Sequence, residues 1–381
     1  MMKKIIQIIL VLFIWSCSTN NDQNIEDNQN GKKIKVGVFN GNGASPVCVL
    51  ETLESLKIDK GIEGKEISAS DISSDKINEF NAIIFPGGSG SKEVNNLGKT
   101  GIKNIHKFVK EDGKGIVGIC AGAYMMMSTD GYPSLQLSNV NHIDREHYNR
   151  GRGLIEFTLT EKGYDIFPEL KDKKMFLQYY DGPVMQLKDS SVSSYTELGK
   201  YVTDITPDNY APSGIAPGNT FLFNEILGKG KIIAIAGHPE STPGMRWMVP
   251  RMARIATNSE LVSYDSYFVR PEINNKAILF DKALRKIEKK LFWNLMNDTS
   301  EVILSAMNEL YSYRSRPAVR WTIGLLRHED PRVRERAAYL LKETEYSFAI
   351  PDLESALKVE IDENAKKQME KTIKVFRLTT F

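Results

Sequence analysis

From Lys33 the chain alternates short apolar runs with segments of helical periodicity. Lys33–Phe39 (KIKVGVF) predicts a β-strand, followed by a loop at Asn40-Gly41-Asn42-Gly43. Ser45 then Pro46 is an N-cap followed by a first-turn proline, which starts a helix reaching about Lys57. Lys65–Ala69 predicts a second strand, Asp71–Phe80 a short helix, and Asn81–Phe85 a buried strand ending in Pro86-Gly87-Gly88. Gly101–Asp112 places Ile102, Ile105, Phe108 and Val109 on one helical face. Gly115–Ile119 is an apolar strand that runs straight into Cys120. This alternation predicts a three-layer, doubly wound α/β domain on a parallel sheet.

Between Gly131 and Asn219 the pattern loosens. Ile155–Thr160, Met175–Tyr180, Val184–Leu187 and Tyr201–Ile205 read as further strands, then Thr220–Asn224 and Lys231–Ala236, before a helix at Gly244–Thr257 disturbed at Pro250. Beyond Gly244 only Gly324 remains as glycine, and helical spacing replaces strands. Lys276–Leu295 reads as one amphipathic helix, followed by Glu301–Tyr311, Ala318–Leu326, Arg332–Lys342, Ile350–Leu357 and Glu363–Phe376. Asp330-Pro331 with Val333, Ala337, Ala338, Leu340 and Leu341 resembles the second half of a HEAT-like repeat. Such repeats bury their faces only against neighbours, so this all-α domain either binds a protein partner or caps the α/β domain. The boundaries expected are 1–17 signal, 18–32 tether, 33–257 α/β domain, 258–275 linker and 276–381 helical domain.

The first residues, MMKKIIQIILVLFIWSC, pair Lys3 and Lys4 with an apolar run from Ile5 to Trp15. That run is too short to span a bilayer and reads as the core of a signal peptide. Ser16-Cys17 resembles the lipobox of bacterial lipoproteins, in which Cys17 would be acylated; ordinary cleavage nearby is the alternative. Thr19–Lys33 is polar and aperiodic, as a tether would be. Lipid anchor and tether together imply a domain held at a membrane of the cell envelope. Ser18 rather than Asp after the cysteine favours the outer membrane, by resemblance to sorting rules in diderm bacteria.

Charge then narrows the function. The chain of 381 residues carries 50 Lys+Arg against 48 Asp+Glu, and Lys3 and Lys4 of the signal account for the whole excess. A nucleic-acid partner is therefore not expected. Three cysteines and five histidines leave no disulfide framework and no metal site of recognisable spacing, and no cofactor is implied. His142 and His147 flank acidic residues in a polar stretch that reads as a surface loop, and Arg145, Arg150 and Arg152 either face solvent or hold an anionic group.

Gly118-Ile119-Cys120-Ala121-Gly122, between a strand and a helix, has the spacing of a nucleophile elbow. The positive end of the helix starting at Ala121 would favour the Cys120 thiolate. The alternative is a buried cysteine beside packing glycines. His238-Pro239-Glu240 follows the strand at Lys231–Ala236, so His238 could act as base and Glu240 could orient it. The N–H groups of Gly88 and Ala121 could form an oxyanion hole, although Pro86-Gly87-Gly88 is also compatible with a plain turn. Further pocket candidates are Asn42, Cys48, Gly87, Tyr124 and Tyr180. Cys48 is either a packing thiol or a disulfide partner for Cys120.

In this order the parts resemble the class I glutamine amidotransferase-like superfamily over roughly Lys33 to Thr257. The segments Val38–Ser45 with Cys48, Phe85–Gly90 (FPGGSG), Gly118–Met125 (GICAGAYM) and Tyr179–Pro183 (YYDGP) are similar to the biotin-protein ligase N-terminal domain-like family. The resemblance implies a thiol-based site with Cys120 as nucleophile, His238 as base, Glu240 as orienter, and Gly88 and Ala121 as oxyanion donors. Tyr124 stands where glutamine-using relatives carry glutamine, and no biotin ligase catalytic domain follows. The expectation is therefore a cysteine amidase or hydrolase acting on a small-molecule or peptide-like amide. Its rival is a non-catalytic scaffold that keeps the fold.

Overall fold

The computed structural model describes residues 33–192 and 195–378, so the signal, the tether and Cys17 lie outside it. Strand sequences rich in Ile, Val and Phe form β1 (Ile34–Phe39), β2 (Ile62–Ile67), β3 (Ala82–Phe85), β4 (Gly115–Ile119), β5 (Val140–His142) and β6 (Arg152–Leu159). β7 (Met175–Tyr180), β8 (Met185–Leu187), β9 (Thr196–Tyr201), β10 (Thr220–Leu227), β11 (Gly230–Ile235) and β12 (Ile278–Leu279) complete one mixed sheet. Its parallel core runs β2-β1-β3-β4-β11. β3, β4 and most of β11 are buried, which is why they read as continuous apolar runs.

Strand order reverses at β1, so right-handed crossovers put helices Pro46–Leu56 and Gly90–Lys110 on opposite faces. The loops after β1, β3, β4 and β11 all leave the same carboxyl edge, which brings Gly88, Cys120 and His238 together there. Beyond β11 the sheet turns antiparallel through β10, β9, β6 and β12, with β7 on β6 and β8 beside β10.

Several elements differ from expectation. Tyr201 ends β9 rather than starting a strand, because Val202 and Thr203 both donate to the Glu156 carbonyl and leave the ladder. The helix expected from Gly101 starts at Gly90 and is broken at Gly98, whose φ of 62° only glycine adopts readily. Lys276–Leu295 is not one helix. Ile278 and Leu279 pair with Leu154 and Gly153 as an edge strand, and the helix Lys282–Asn294 starts only after Asp281 caps the Leu284 N–H. Gly153 permits that pairing, since a Cβ there would lie 1.9 Å from the Ile278 carbonyl oxygen.

The C-terminal helical region comprises Lys282–Asn294, Ser300–Ser312, Ala318–Gly324, Pro331–Glu343, Ile350–Leu357 and Glu363–Phe376, enclosing an apolar core of its own. It packs on the α/β part through buried polar contacts: Arg246 donates to the Glu345 carbonyl, the Gly244 N–H donates to the Glu345 carboxylate (2.9 Å), and Arg152 pairs with Glu288. Residues 258–275 take part, with Tyr264 bonded to Asp59 and Tyr267 to the Lys342 carbonyl. No helix of the described residues is long and apolar enough to cross a membrane.

Candidate active site

Cys120 caps the six-residue helix Ala121–Met126 with φ 53° and ψ −100°, a strained conformation that non-glycine residues rarely adopt. The close turn explains the flanking glycines. A Cβ on Gly118 would lie 2.6 Å from the Gly122 carbonyl oxygen, and one on Gly122 would lie 2.1 Å from that of Phe85. The Cys120 thiol donates to the Tyr180 carbonyl at 3.2 Å. That carbonyl is held by the turn at Asp181, which has φ 52° and exchanges hydrogen bonds with Gly151 through its N–H and its carboxylate.

His238 lies at the end of β11, and its N–H donates to the Gln178 carbonyl at 2.7 Å. Its Nδ1 sits 2.7 Å from Glu240 Oε1, which makes Nδ1 the protonated nitrogen facing a carboxylate. Nε2 is buried and has no hydrogen-bond partner among the described residues. Burial pulls the imidazole pKa down, but the adjoining Cys120 sulfur and the Glu240 carboxylate outweigh it and raise the pKa well above the usual histidine range. Burial likewise pushes the Glu240 carboxyl up, and the positive charges of His238 and Arg316 reverse this and hold it low.

The predicted oxyanion donors lie on the same edge. Gly88 has φ 158°, and its neighbours Gly87 and Ser89 are tied to Ser45 and Gly43 by backbone bonds, while the Gly88 N–H donates to no described group. The Ala121 N–H is in the first helical turn, where no carbonyl of the helix can reach it. A side chain on Gly87 would strike both the His238 ring (2.6 Å) and the Cys48 sulfur (2.8 Å).

Cys48 therefore flanks the imidazole, and both cysteines are free thiols. Cys48, His238 and Glu240 form the one group among the described residues with three metal-ligating atoms, all within 4.8 Å of one another. The His238–Glu240 hydrogen bond already engages two of them.

Other candidates fall elsewhere. Asn42 is exposed, its N–H bonded to Asn96. Tyr124 is buried, donates to the Asp181 carbonyl, and packs among Tyr132, Tyr148 and His142. That aromatic cluster corrects the surface-loop expectation. His142 is fully buried, and burial lowers its pKa to about 4. Arg150 is buried and neutralised by Asp144. Tyr179 is core, and Tyr180 is 54% exposed.

Glu51 and Arg316 were not foreseen. Glu51 accepts from Ser241 and pairs with Arg316 of the helical region, whose guanidinium also lies 3.8 Å from the Cys48 sulfur. No local motif marks either residue, because the helical tail brings them together across 265 positions.

The family model described as "Biotin-protein ligase, N terminal" matches residues 34–132, the stretch from β1 to just past the elbow helix. No curated protein matches the chain. Solved structures that match part of this chain include a glutamine amidotransferase from Methylobacillus flagellatus, at 13% identity over 56% of this chain and 72% of that one, with TM-score 0.35. A cytoplasmic protein from Salmonella typhimurium LT2 shares 13% identity over 58% of this chain and 97% of that one, with TM-score 0.37. A β-galactosidase from Bacillus circulans sp. alkalophilus shares 13% identity over 59% of this chain, with TM-score 0.36, and this chain spans only 30% of its length.

Proposed function

We propose that this protein is a cysteine amidase or hydrolase whose nucleophile, base and orienter are Cys120, His238 and Glu240. The observation that carries the reading is a strained elbow cysteine beside a buried imidazole whose Nδ1 is fixed by a carboxylate and whose Nε2 is left open. His238 Nε2 takes the Cys120 thiol proton, the thiolate adds to an acyl carbon, and the carbonyl electron pair moves onto oxygen within reach of the Gly88 and Ala121 N–H groups. Collapse breaks the C–N bond, forms a thioester, and the leaving nitrogen takes a proton from His238 Nε2. Water then gives a proton to Nε2 and attacks the thioester. Its C–S bond breaks, the sulfur takes the proton back from Nε2, and a carboxylic acid and the free thiol result.

In this reading Cys17 carries a lipid that tethers the domain in the bacterial envelope, most naturally at the outer membrane, and the helical region is built of HEAT-like repeats that can also hold a protein partner.

One observation favours the second reading, a scaffold that keeps the fold without chemistry. The thiol proton points to the Tyr180 carbonyl rather than to His238. Substrate binding would have to draw it away, and catalytic contacts often tighten only in the complex. Alkylation with iodoacetamide near pH 7 separates the two. A catalytic Cys120 reacts faster than a free model thiol and loses that advantage in His238→Ala; a scaffold cysteine reacts no faster.

A further inference from the structure

The crevice beside His238 opens into a cavity of about 710 Å³, walled by the ends of β6 and β7 on one side and by residues 314–321 of the helical region on the other. That volume suits a small molecule. Its charge is one-sided: five arginines line it, at 152, 285, 314, 316 and 320, against the single carboxylate of Glu51.

Four of the five are committed. Arg152 pairs with Glu288, Arg285 with Asp208, and Arg316 with Glu51, while Arg314 is bonded to Asn274 and to the Ile273 and Tyr311 carbonyls. Arg320 is exposed and makes no hydrogen bond or ion pair to any described residue. Tyr180 and Trp321, 54% and 47% exposed, line the same cavity and offer aromatic faces to its contents.

Building on the amidase reading, we infer that the substrate is an amide carrying an anionic group, carboxylate or phosphate, which Arg320 holds while Tyr180 and Trp321 border its apolar portion. A planar guanidinium without a partner is suited to bidentate capture of either anion. The field of the committed arginines, two of which pair with acids outside the cavity lining, adds to the attraction. The helical region then supplies substrate selection, and the sheet edge supplies the chemistry.

Calorimetry on the wild-type protein tests this with three ketones that have no leaving group: 4-acetylbenzoate, 4-acetylphenyl phosphate and the neutral 4-acetylbenzyl alcohol. At low salt, at least one anion binds about tenfold or more tightly than the alcohol, and the tighter of the two names the preferred group. Added salt weakens that preference, and Arg320→Gln, a change at an exposed site, reduces it to within about twofold. Equal binding of all three ligands, or a preference that survives Arg320→Gln, overturns the inference. Cys120 alkylation is read separately. A fast Cys120 with no anion preference removes the anion site alone. A slow Cys120 with the preference intact removes the catalytic reading and leaves the anion site standing.

Discussion

The carboxyl edge of the sheet and the helical wall facing it are made in different ways. At the edge, Cys120 directly follows β4, Gly88 and His238 lie three residues past the ends of β3 and β11, and glycines fix the pose: Gly118 and Gly122 fix Cys120, and Gly87 closes on His238. At the wall, Arg316 in the loop before the helix Ala318–Gly324 reaches Glu51, and Arg152 of β6 reaches Glu288 of the helix Lys282–Asn294, across 265 and 136 positions. Local backbone geometry therefore poses the candidate nucleophile and base, and tertiary packing holds the environment around them.

The largest effect expected is at the edge. His238→Ala lowers the iodoacetamide rate of Cys120 by about 10²–10⁴-fold if the imidazole acts as base, measured by mass spectrometry of the Cys120 peptide. Cys48→Ala leaves that rate within a few fold. Equal losses from both substitutions would break the assignment of nucleophile and bystander.

Next comes a pH effect beneath the edge. Glu93 is fully buried, neither carboxylate oxygen has a partner among the described residues, and burial raises its pKa to about 8. An unfolded glutamate loses its proton near pH 4.3, whereas the folded one keeps it to about 8. Across that window the unfolded state binds fewer protons, so this group lowers stability as pH rises, by roughly 1.4 kcal/mol per pH unit. Its contribution is fully favourable below the window and lost above it. Urea denaturation at several pH values should show Glu93→Gln removing this slope, and an unchanged slope would mean that the carboxylate is solvated.

Arg316→Ala tests the wall. It leaves the nearly buried Glu51 without its cation and removes one of the positive charges that hold Glu240 low, so it should cost about 2–3 kcal/mol in urea denaturation. The Cys120 alkylation rate should fall on the order of tenfold, because Glu240 no longer fixes the imidazole as firmly. If stability drops and the rate does not, the wall supports the fold without tuning the chemistry.

This contrast also explains what was legible in the sequence. The strand ends carrying Cys120, His238 and Gly88 were readable because a sharp turn needs particular residues at particular spacings. All five helices from Ser300 onward begin within one residue of their expected starts, and Asp-Pro at 330–331 marks one of them. Ile278–Leu279 was misread because its helical periodicity is real, and only pairing with Gly153 makes it a strand. The burial of His142 and Arg150 is not legible in the sequence because it depends on Asp144, Tyr124 and Tyr148, which no local pattern links to them. Glu51 and Arg316 carry no signal short of the tertiary structure.

The smallest effect separates two ways in which the wall could matter. Asp330 caps the helix Pro331–Glu343, its carboxylate accepting from the Arg332 N–H at 2.9 Å. Asp330→Ala should cost about 1 kcal/mol of stability. Its pairing with Arg332 adds little, since the guanidinium is largely exposed. This cap lies in the helical region but touches neither Glu51 nor the arginines lining the cavity. If the wall acts on the site through Arg316 alone, Asp330→Ala weakens the protein and leaves Cys120 alkylation unchanged. A loss of rate matching that of Arg316→Ala would instead show that the site responds to how tightly the whole helical region is docked, and the division between local chemistry and distant packing would no longer hold.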